Sequence, residues 1–206
     1  MGGAAAGGLV FFLPTNSFET GMSKMKFAIA AVALSTLYAS TALADTKLTT
    51  QGLLDNVCVA GRLDEKRLGP DVGQVAKYLN MRTMALPAEM LPTINPDATS
   101  AWGLAGGDKT FIFSFARKKV DGAESKSCSV SSPASDEEAA AIRTFIETKF
   151  QAKKVVDQEQ GGSTITVYQA ELLGFDNPKY FSIQRVHPDE GIDGMVSVSF
   201  FDGEPL

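Results

Sequence analysis

The chain has 206 residues, of which 24 are acidic and 19 are basic, so its formal net charge at pH 7 is −5. This surplus of negative charge disfavours nucleic acid and anionic lipid as partners, because both carry charge of the same sign. The basic triplet Arg117-Lys118-Lys119 ends a strand-like run and has no aromatic residues built around it, so we interpret it as a solvated strand end. We therefore expect no nucleic-acid partner.

The first element in chain order is a predicted signal peptide at residues 22–44. Lys24 and Lys26 precede an apolar run from Phe27 to Tyr38, and the tripeptide Ala42-Leu43-Ala44 follows. This order is typical of a secretory leader that is cut after the last alanine. The run is shorter than the roughly 20 residues of a membrane anchor, which is the alternative. We expect export and no stable membrane insertion after cleavage.

Cleavage at that point divides the chain into three regions. Targeting peptides usually have about 15 to 30 residues, so residues 1–21 are interpreted as a mis-annotated start or a disordered extension. Residues 45–206 carry a formal charge of −6 and have the length expected of one exported domain. The predicted location is the periplasm of a bacterium or the medium outside it.

The two cysteines, Cys58 and Cys128, are predicted to form a disulfide bond. An even number of cysteines in a small exported domain is most simply explained by a bridge. In the chain-entropy model a loop of this length stabilises the fold by roughly 4 kcal/mol. A reactive thiol is the alternative, but the chain has no Cys-x-x-Cys spacing and only one histidine to activate a thiolate.

The first half of the exported region contains two predicted helices and an irregular connection. Apolar residues at three- and four-residue spacing predict a helix from Leu48 to Ala60. A second helix is predicted from Asp71 to Leu79, with Pro70 at its entry. The segment from Pro87 to Gly107 is rich in proline, glycine and small residues, so we expect it to be irregular. It contains the single tryptophan, Trp102.

The second half contains the predicted strands and the clearest helix start. Alternating phenylalanines from Phe111 to Phe115 predict a strand, and Ser125 to Val130 can return beside it as a hairpin. Ser135 and Glu138 form a predicted capping box. The helix that follows has Lys153-Lys154 placed to suit its negative carboxyl end. Three more strands are predicted, at Ser163 to Ala170, Tyr180 to Val186 and Met195 to Phe201.

These elements predict the fold class. The order of helices and strands, with mostly hairpin-length connections, suits helices packed on an antiparallel sheet. We therefore expect a single α+β domain with an antiparallel sheet of about five strands and two or three helices packed on it.

The sequence contains no motif that predicts a catalytic residue, a cofactor or a metal site. His187 is followed by Pro188, Asp189 and Glu190, which indicates an exposed loop, and no second histidine is available to complete a zinc site. The chain has no Gly-x-Ser-x-Gly elbow, and the glycines before Asp108 lack the Lys-Ser/Thr pair of a phosphate loop. Trp102 and His187 are the candidate ligand contacts.

The leading hypothesis for function is an exported, non-catalytic binding protein of the cell envelope. Its partner would be a small ligand or another envelope protein, bound through the sheet surface or the loops. The alternative is an envelope hydrolase that uses carboxylates or His187, which predicts a deep polar cleft at the strand ends. A structural subunit is the third hypothesis, and it predicts an uncovered apolar patch or edge strand in the monomer.

Overall fold

The computed structural model describes residues 48–120, 122–160, 162–186 and 194–203. The predicted signal peptide, the region before it and His187 lie outside these residues. The division of the chain at residues 21 and 44, and the expectation of one domain from residue 45 to 206, therefore stay predictions.

The described residues form one eight-stranded sheet in which every neighbouring pair of strands is antiparallel. The strand order is β1-β2-β3-β4-β8-β7-β6-β5. The strands are β1 Arg82–Ala85, β2 Ala98–Gly106, β3 Lys109–Val120, β4 Ala123–Pro133, β5 Lys153–Gln160, β6 Ser163–Ala170, β7 Lys179–Val186 and β8 Met195–Phe201.

The predicted sheet of about five strands is wrong, because three further strands complete it. The five predicted strands correspond to β3, β4, β6, β7 and β8, and the three that sequence analysis missed are β1, β2 and β5. Strand β2 lies inside the segment predicted to be irregular. Small residues such as Gly103 have a low strand propensity, but hydrogen bonding to β3 overrides that preference. The combination of helices with an antiparallel sheet still resembles an α+β fold.

Four α-helices are present in the described residues, rather than two or three. Helix α1 is short and continues as a π-helical segment. Helix α3 follows a single turn of 3₁₀ helix. The bounds are α1 Thr50–Leu53 with the π-helical segment Leu54–Val59, α2 Glu65–Tyr78, the 3₁₀ turn Ala88–Met90 with α3 Leu91–Ile94, and α4 Asp136–Lys149.

The start of α2 differs from its predicted position, whereas the start of α4 is confirmed. The Asp64 side chain accepts a hydrogen bond from the Lys66 N–H at 3.1 Å, so α2 begins before Pro70 and contains it. In α4 the Ser135 Oγ accepts from the Glu138 N–H at 3.2 Å, and the Glu138 carboxylate accepts from the Ser135 N–H at 2.9 Å. This reciprocal pair is the predicted capping box.

The described fold repeats one unit of a helix followed by a four-stranded meander. Helix α2 precedes β1 to β4 and helix α4 precedes β5 to β8, and both helices have 14 residues. After the end of each helix the chain passes through a residue with positive φ, which is 52° at Asn80 and 50° at Gln151. The two meanders meet where β4 pairs with β8, and Ser129 lies directly opposite Ser199 there. An approximate two-fold axis therefore passes through this pair.

The hydrophobic core lies between the helices and one face of the sheet. Phenylalanine, valine, leucine and isoleucine side chains from both meanders point to this face and are buried. Helices α1, α2 and α4 and the π-helical segment supply the residues packed above them. The fully buried members with 0% exposure are Leu54, Val72, Leu104, Phe113, Val130, Ile146, Phe181, Val196, Val198 and Phe200.

The predicted disulfide bond is present in this core. Cys58 lies in the π-helical segment and Cys128 lies near the middle of β4, with their Cα atoms 5.4 Å apart. Both residues are buried. The bridge closes a separation of 70 residues and ties the first helical segment to the sheet.

Trp102 also belongs to the helix side of the sheet. Its ring packs against α2 at Gly69, where a Cβ atom would lie only 2.7 Å from the ring atom Cζ2. Gly73 lies one turn further along the same helix and has no atom within 4 Å of an added Cβ. Gly69 is therefore needed for close contact between α2 and β2, whereas Gly73 is not.

Substitution of these two glycines should change stability in opposite directions. We expect Gly69→Ala to lower the free energy of unfolding by about 1–3 kcal/mol, because its methyl group must displace the indole. The control Gly73→Ala should raise it by about 0.5–1 kcal/mol, since alanine has a higher helix propensity than glycine and its methyl group meets no other atom there. Urea denaturation of the oxidised proteins measures both values. Equal effects of the two substitutions would contradict the packing of Trp102 on Gly69.

Removal of the disulfide should lower stability by about 4 kcal/mol, because the unfolded chain regains the freedom of a long loop. The double variant Cys58→Ala, Cys128→Ala tests this by urea denaturation against the oxidised native chain. Mass measurement after alkylation without reductant should find no free thiol in the native protein. Two alkylated cysteines in that experiment would show that the bridge does not form.

Candidate functional site

The candidate site is the face of the sheet opposite the core, which we call the outer face. It is formed by the residues of β2, β3, β4, β6, β7 and β8 that alternate with the core residues along each strand. In strand order its residues are Ala101, Gly103, Ala105, Thr110, Ile112, Ser114, Ala116, Ser127, Ser129, Ser131, Pro133, Met195, Ser197, Ser199, Phe201, Tyr180, Ser182, Gln184, Val186, Ser163, Ile165, Val167 and Gln169.

None of these 23 residues is charged, although 21% of the residues in the chain are, and the first charged residue on the same face of β3 is Lys118, directly beyond Ala116. Charged side chains begin only at its margins, with Arg82 on β1, Lys118 at the far end of β3 and Lys153 on β5. An ordinary exposed sheet face carries charged residues that keep it in water. Depletion of charge is instead the compositional mark of the centre of a binding interface.

Four serines lie side by side across the middle of the outer face. The strand register pairs Ser114 with Ser129, Ser129 with Ser199, and Ser199 with Ser182. The hydroxyl oxygens of Ser129 and Ser199 are 2.7 Å apart, and Ser131 donates to Ser197 at 2.9 Å. Because these hydroxyls bond to one another, they can lose contact with water at little cost in free energy.

The two halves of the outer face differ in side-chain size. Strands β2, β3 and β4 present mainly alanine, glycine and serine, and Ala101 and Ser114 there are 2% and 4% exposed. Strands β6, β7 and β8 carry larger apolar residues between their serines. Tyr180 and Phe201 stack with ring centroids 5.6 Å apart, and Val186 is 43% exposed.

Charged residues cluster on the opposite side of the sheet and hold α2 there. The carboxylate of Glu65, the first residue of α2, accepts hydrogen bonds from Thr99 and Ser100 on β2. Its second oxygen accepts from the Arg117 Nε–H on β3 at 3.0 Å. Arg117 also contacts Glu124 on β4 at 3.1 Å. This network links the start of α2 to three strands.

The network lowers the pKa of Glu65. Partial burial alone would raise the pKa of this carboxyl, but hydrogen bonds from Thr99, Arg117 and Ser100 and the positive charge of Arg117 outweigh burial. In contrast, burial raises the pKa of Tyr168 on β6 to about 12, and a hydrogen bond to Glu147 on α4 adds to the effect. Tyr168 is therefore a neutral phenol at physiological pH.

A cleft of about 520 Å³ lies at the strand ends, between the start of α1, the start of β3, the end of β4 and the first turn of α4. Its acidic residues are Asp108, Glu137 and Glu138, and all three are exposed. An acid–base pair of the hydrolase type needs two carboxyl groups in contrasting environments. Glu138 is already engaged in the capping box. The cleft therefore gives less support to hydrolysis than the outer face gives to binding.

The sequence-predicted site residues lie in different parts of the molecule. Cys58 and Cys128 form the bridge in the core, and Trp102 packs between sheet and helix. His187 lies outside the described residues. A role of Trp102 or His187 in ligand binding stays a prediction. Among the described residues, no group of His, Cys, Asp and Glu could hold a metal ion.

Sequence reasoning missed the outer face, although part of its signal is visible. Serine alternates with other residues at Ser125, Ser127, Ser129 and Ser131, which is the period of a strand with one polar face. The lack of charge across six strands becomes evident only when the strand order is known. None of the described helices has the length and hydropathy needed to span a membrane.

No protein-family model, curated protein or solved structure matches this chain. Its function is therefore argued from its own residues.

The Glu65 network should make stability depend on pH. A folded-state pKa below the ordinary glutamate value of 4.5 means that the carboxylate stabilises the fold fully at pH values well above 4.5. That contribution is lost as the pH falls through the lower pKa of the folded state. We expect Glu65→Gln to lower the free energy of unfolding at pH 7 by about 1–3 kcal/mol.

The measurement is urea denaturation of Glu65→Gln and the native chain between pH 7 and pH 3. The difference between the two should shrink at the acidic end. Glu171→Gln, at an exposed position after β6, is the control and should match the native chain throughout. A pH-independent difference for Glu65→Gln would show that its carboxylate charge is not the stabilising group.

Proposed function

We propose that this protein is an exported, non-catalytic binding protein and that the outer face is its binding surface. The observation that carries the proposal is the absence of charge from the 23 outer-face residues named above, in a chain of which 21% of the residues are charged. The partner is a neutral ligand or an envelope protein with an uncharged surface. Like the leading sequence-based hypothesis, this proposal assigns binding to the sheet surface.

The chemistry of the outer face favours a neutral partner over an ionic one. A charged ligand would lose its hydration shell there and find no opposite charge to replace it. The paired hydroxyls of Ser129 and Ser199 are already satisfied, so an uncharged surface can cover them without leaving a polar group unbonded. Nearby apolar residues such as Val186 and Phe201 would supply the hydrophobic gain.

Export to the periplasm or beyond the cell is part of the proposal. A buried disulfide between Cys58 and Cys128 fits an oxidising compartment, where such bridges persist. The predicted signal peptide at residues 22–44 gives independent support from the sequence. The envelope hydrolase remains the alternative, but no described contact pairs the carboxylates of the strand-end cleft.

Site-specific photo-crosslinking in the producing cell tests the proposal. A photoreactive amino acid in place of Gln184, which is half-buried on the outer face, should give a discrete crosslinked product. The same residue in place of Thr144, which is exposed on α4, is the control and should give none. Mass spectrometry of the product then identifies the partner. Products of equal yield from both positions, or none from Gln184, would refute the outer face as the binding surface.

A further inference from the structure

We propose that Arg62, Phe175 and Lys179, which we call the Phe175 site, bind the phosphate group of a soluble molecule. Phe175 lies in the connection between β6 and β7, and Lys179 is the first residue of β7. The strand register pairs Lys179 with the core residue Ala170, so the site is on the helix side of the sheet. It is separate from the outer face and does not depend on the proposed function.

The ring of Phe175 is contacted by two positive charges. The guanidinium carbon of Arg62 lies 5.7 Å from the centre of the ring, and the ammonium nitrogen of Lys179 lies 5.4 Å from the same point. Because both contacts share one ring, the two charges are at most about 11 Å apart. The ring also packs edge-on against the core residue Phe200, with centroids 5.7 Å apart, and this contact holds it in place.

Neither cation has an acidic partner among the described residues. The ion pairs within this part of the chain involve neither Arg62 nor Lys179. Lys179 is only 9% exposed, and a lysine buried to this degree is normally paired with an opposite charge. Acidic residues outnumber basic residues in the chain by 24 to 19, so counter-charges are plentiful elsewhere. Two unpaired cations at one ring therefore indicate a site for an anion.

The ammonium of Lys179 is still accessible to an anion. Side-chain atoms of the described residues that are fully buried and lack a hydrogen-bond partner belong to Asp71, Arg143 and Arg185. The ammonium of Lys179 is not among them, so the remaining exposure of this residue includes its charged group. Arg62 is exposed and Phe175 is half-buried, which leaves the site open to solvent.

The backbone that carries Arg62 is strained. Arg62 and Leu63 have consecutive positive φ angles of 55° and 56°, which are unfavourable for residues with a Cβ atom. Leu63 becomes buried in the core by this turn, whereas Arg62 remains exposed. Gly174 approaches the guanidinium so closely that an added Cβ would lie 2.8 Å from Nη2. The strained turn and this glycine together place Arg62 on Phe175, and strain of this kind clusters at functional sites.

The chemistry of the two cations favours a phosphate group. A guanidinium presents a planar set of donors that matches two phosphate oxygens, and an ammonium adds a point charge on a flexible stem. A phosphate monoester carries a charge of about −1.5 to −2 at pH 7, which balances two cations, whereas a carboxylate balances only one. The net negative charge of the chain disfavours an anionic membrane surface, so the phosphate group belongs to a soluble molecule.

Isothermal titration calorimetry of the processed protein with inorganic phosphate at low ionic strength tests the inference. One phosphate should bind per chain, and acetate at the same ionic strength should bind at least tenfold more weakly. Lys179→Met should weaken phosphate binding at least tenfold, because it removes one charge and keeps the length of the side chain. Arg62→Gly should do the same, and glycine adopts the positive φ at this position without strain. Lys77→Met, at an exposed position on α2, is the matched control and should bind phosphate like the native chain.

Thermal unfolding gives a second readout. In phosphate-free buffer Lys179→Met should raise the melting temperature, because it replaces an unpaired buried charge with an apolar side chain. Phosphate should raise the melting temperature of the native protein, since it binds the folded state, and should leave that of Lys179→Met unchanged.

Several results would overturn the inference. These are no phosphate binding to the native protein, equal binding of acetate, or phosphate binding that both Lys179→Met and Arg62→Gly retain. Co-sedimentation of the native protein with vesicles containing phosphatidic acid, lost in Lys179→Met, would overturn the assignment to a soluble molecule. Crosslinking from Gln184 reports on the opposite face of the sheet, so failure of either proposal leaves the other standing.

Discussion

The pairing of β4 with β8 is the interaction on which the rest of the described structure depends. It joins two meanders that are separated in sequence by α4, and without it the sheet would divide into two halves of four strands. The core crosses this junction, since Val130 on β4 and Val198 on β8 are both fully buried opposite each other. The disulfide at Cys128 anchors α1 and its π-helical extension directly above the same strand pair. Covalent, hydrophobic and backbone interactions therefore converge at one place.

Because successive side chains along each strand point to opposite faces of the sheet, the two faces differ in composition. Large apolar residues occupy the helix side because three helical segments must be packed there, and their burial is the main source of stability. On the outer face, the 23 residues named above include no charged residue. Lysine or glutamate side chains on a fully exposed face would stay hydrated and would not lower stability. Several residues of the outer face, such as Ala101, Ser114 and Val167, are in any case buried within the chain. Contact of the remaining residues with another uncharged surface is what we propose.

Some of this architecture could be predicted from the sequence, and the limits have physical causes. Strand β3 has phenylalanine at every second position, β4 is predicted as its hairpin return, and the Ser135 capping box has a local signature. Strand β2 lacks that pattern because glycine and alanine fill its outer positions, and β5 has polar residues that also suit a helix end. The position of Asp64 explains why α2 starts early, since a cap at that point outweighs a proline within the helix. The outer face depends on pairing between strands about 70 residues apart, which local patterns do not encode.

The two halves of the fold are similar in backbone and differ in the side chains that they place on the outer face. The register places Ser114 opposite Ser129 in one half and Ser182 opposite Ser199 in the other, so the serine row is symmetric about the β4–β8 junction. Side-chain size does not follow that symmetry. The backbone repeat therefore fixes the position of the serine row, whereas the size of the side chains beside it is free to differ between the two halves, because strand pairing does not depend on it.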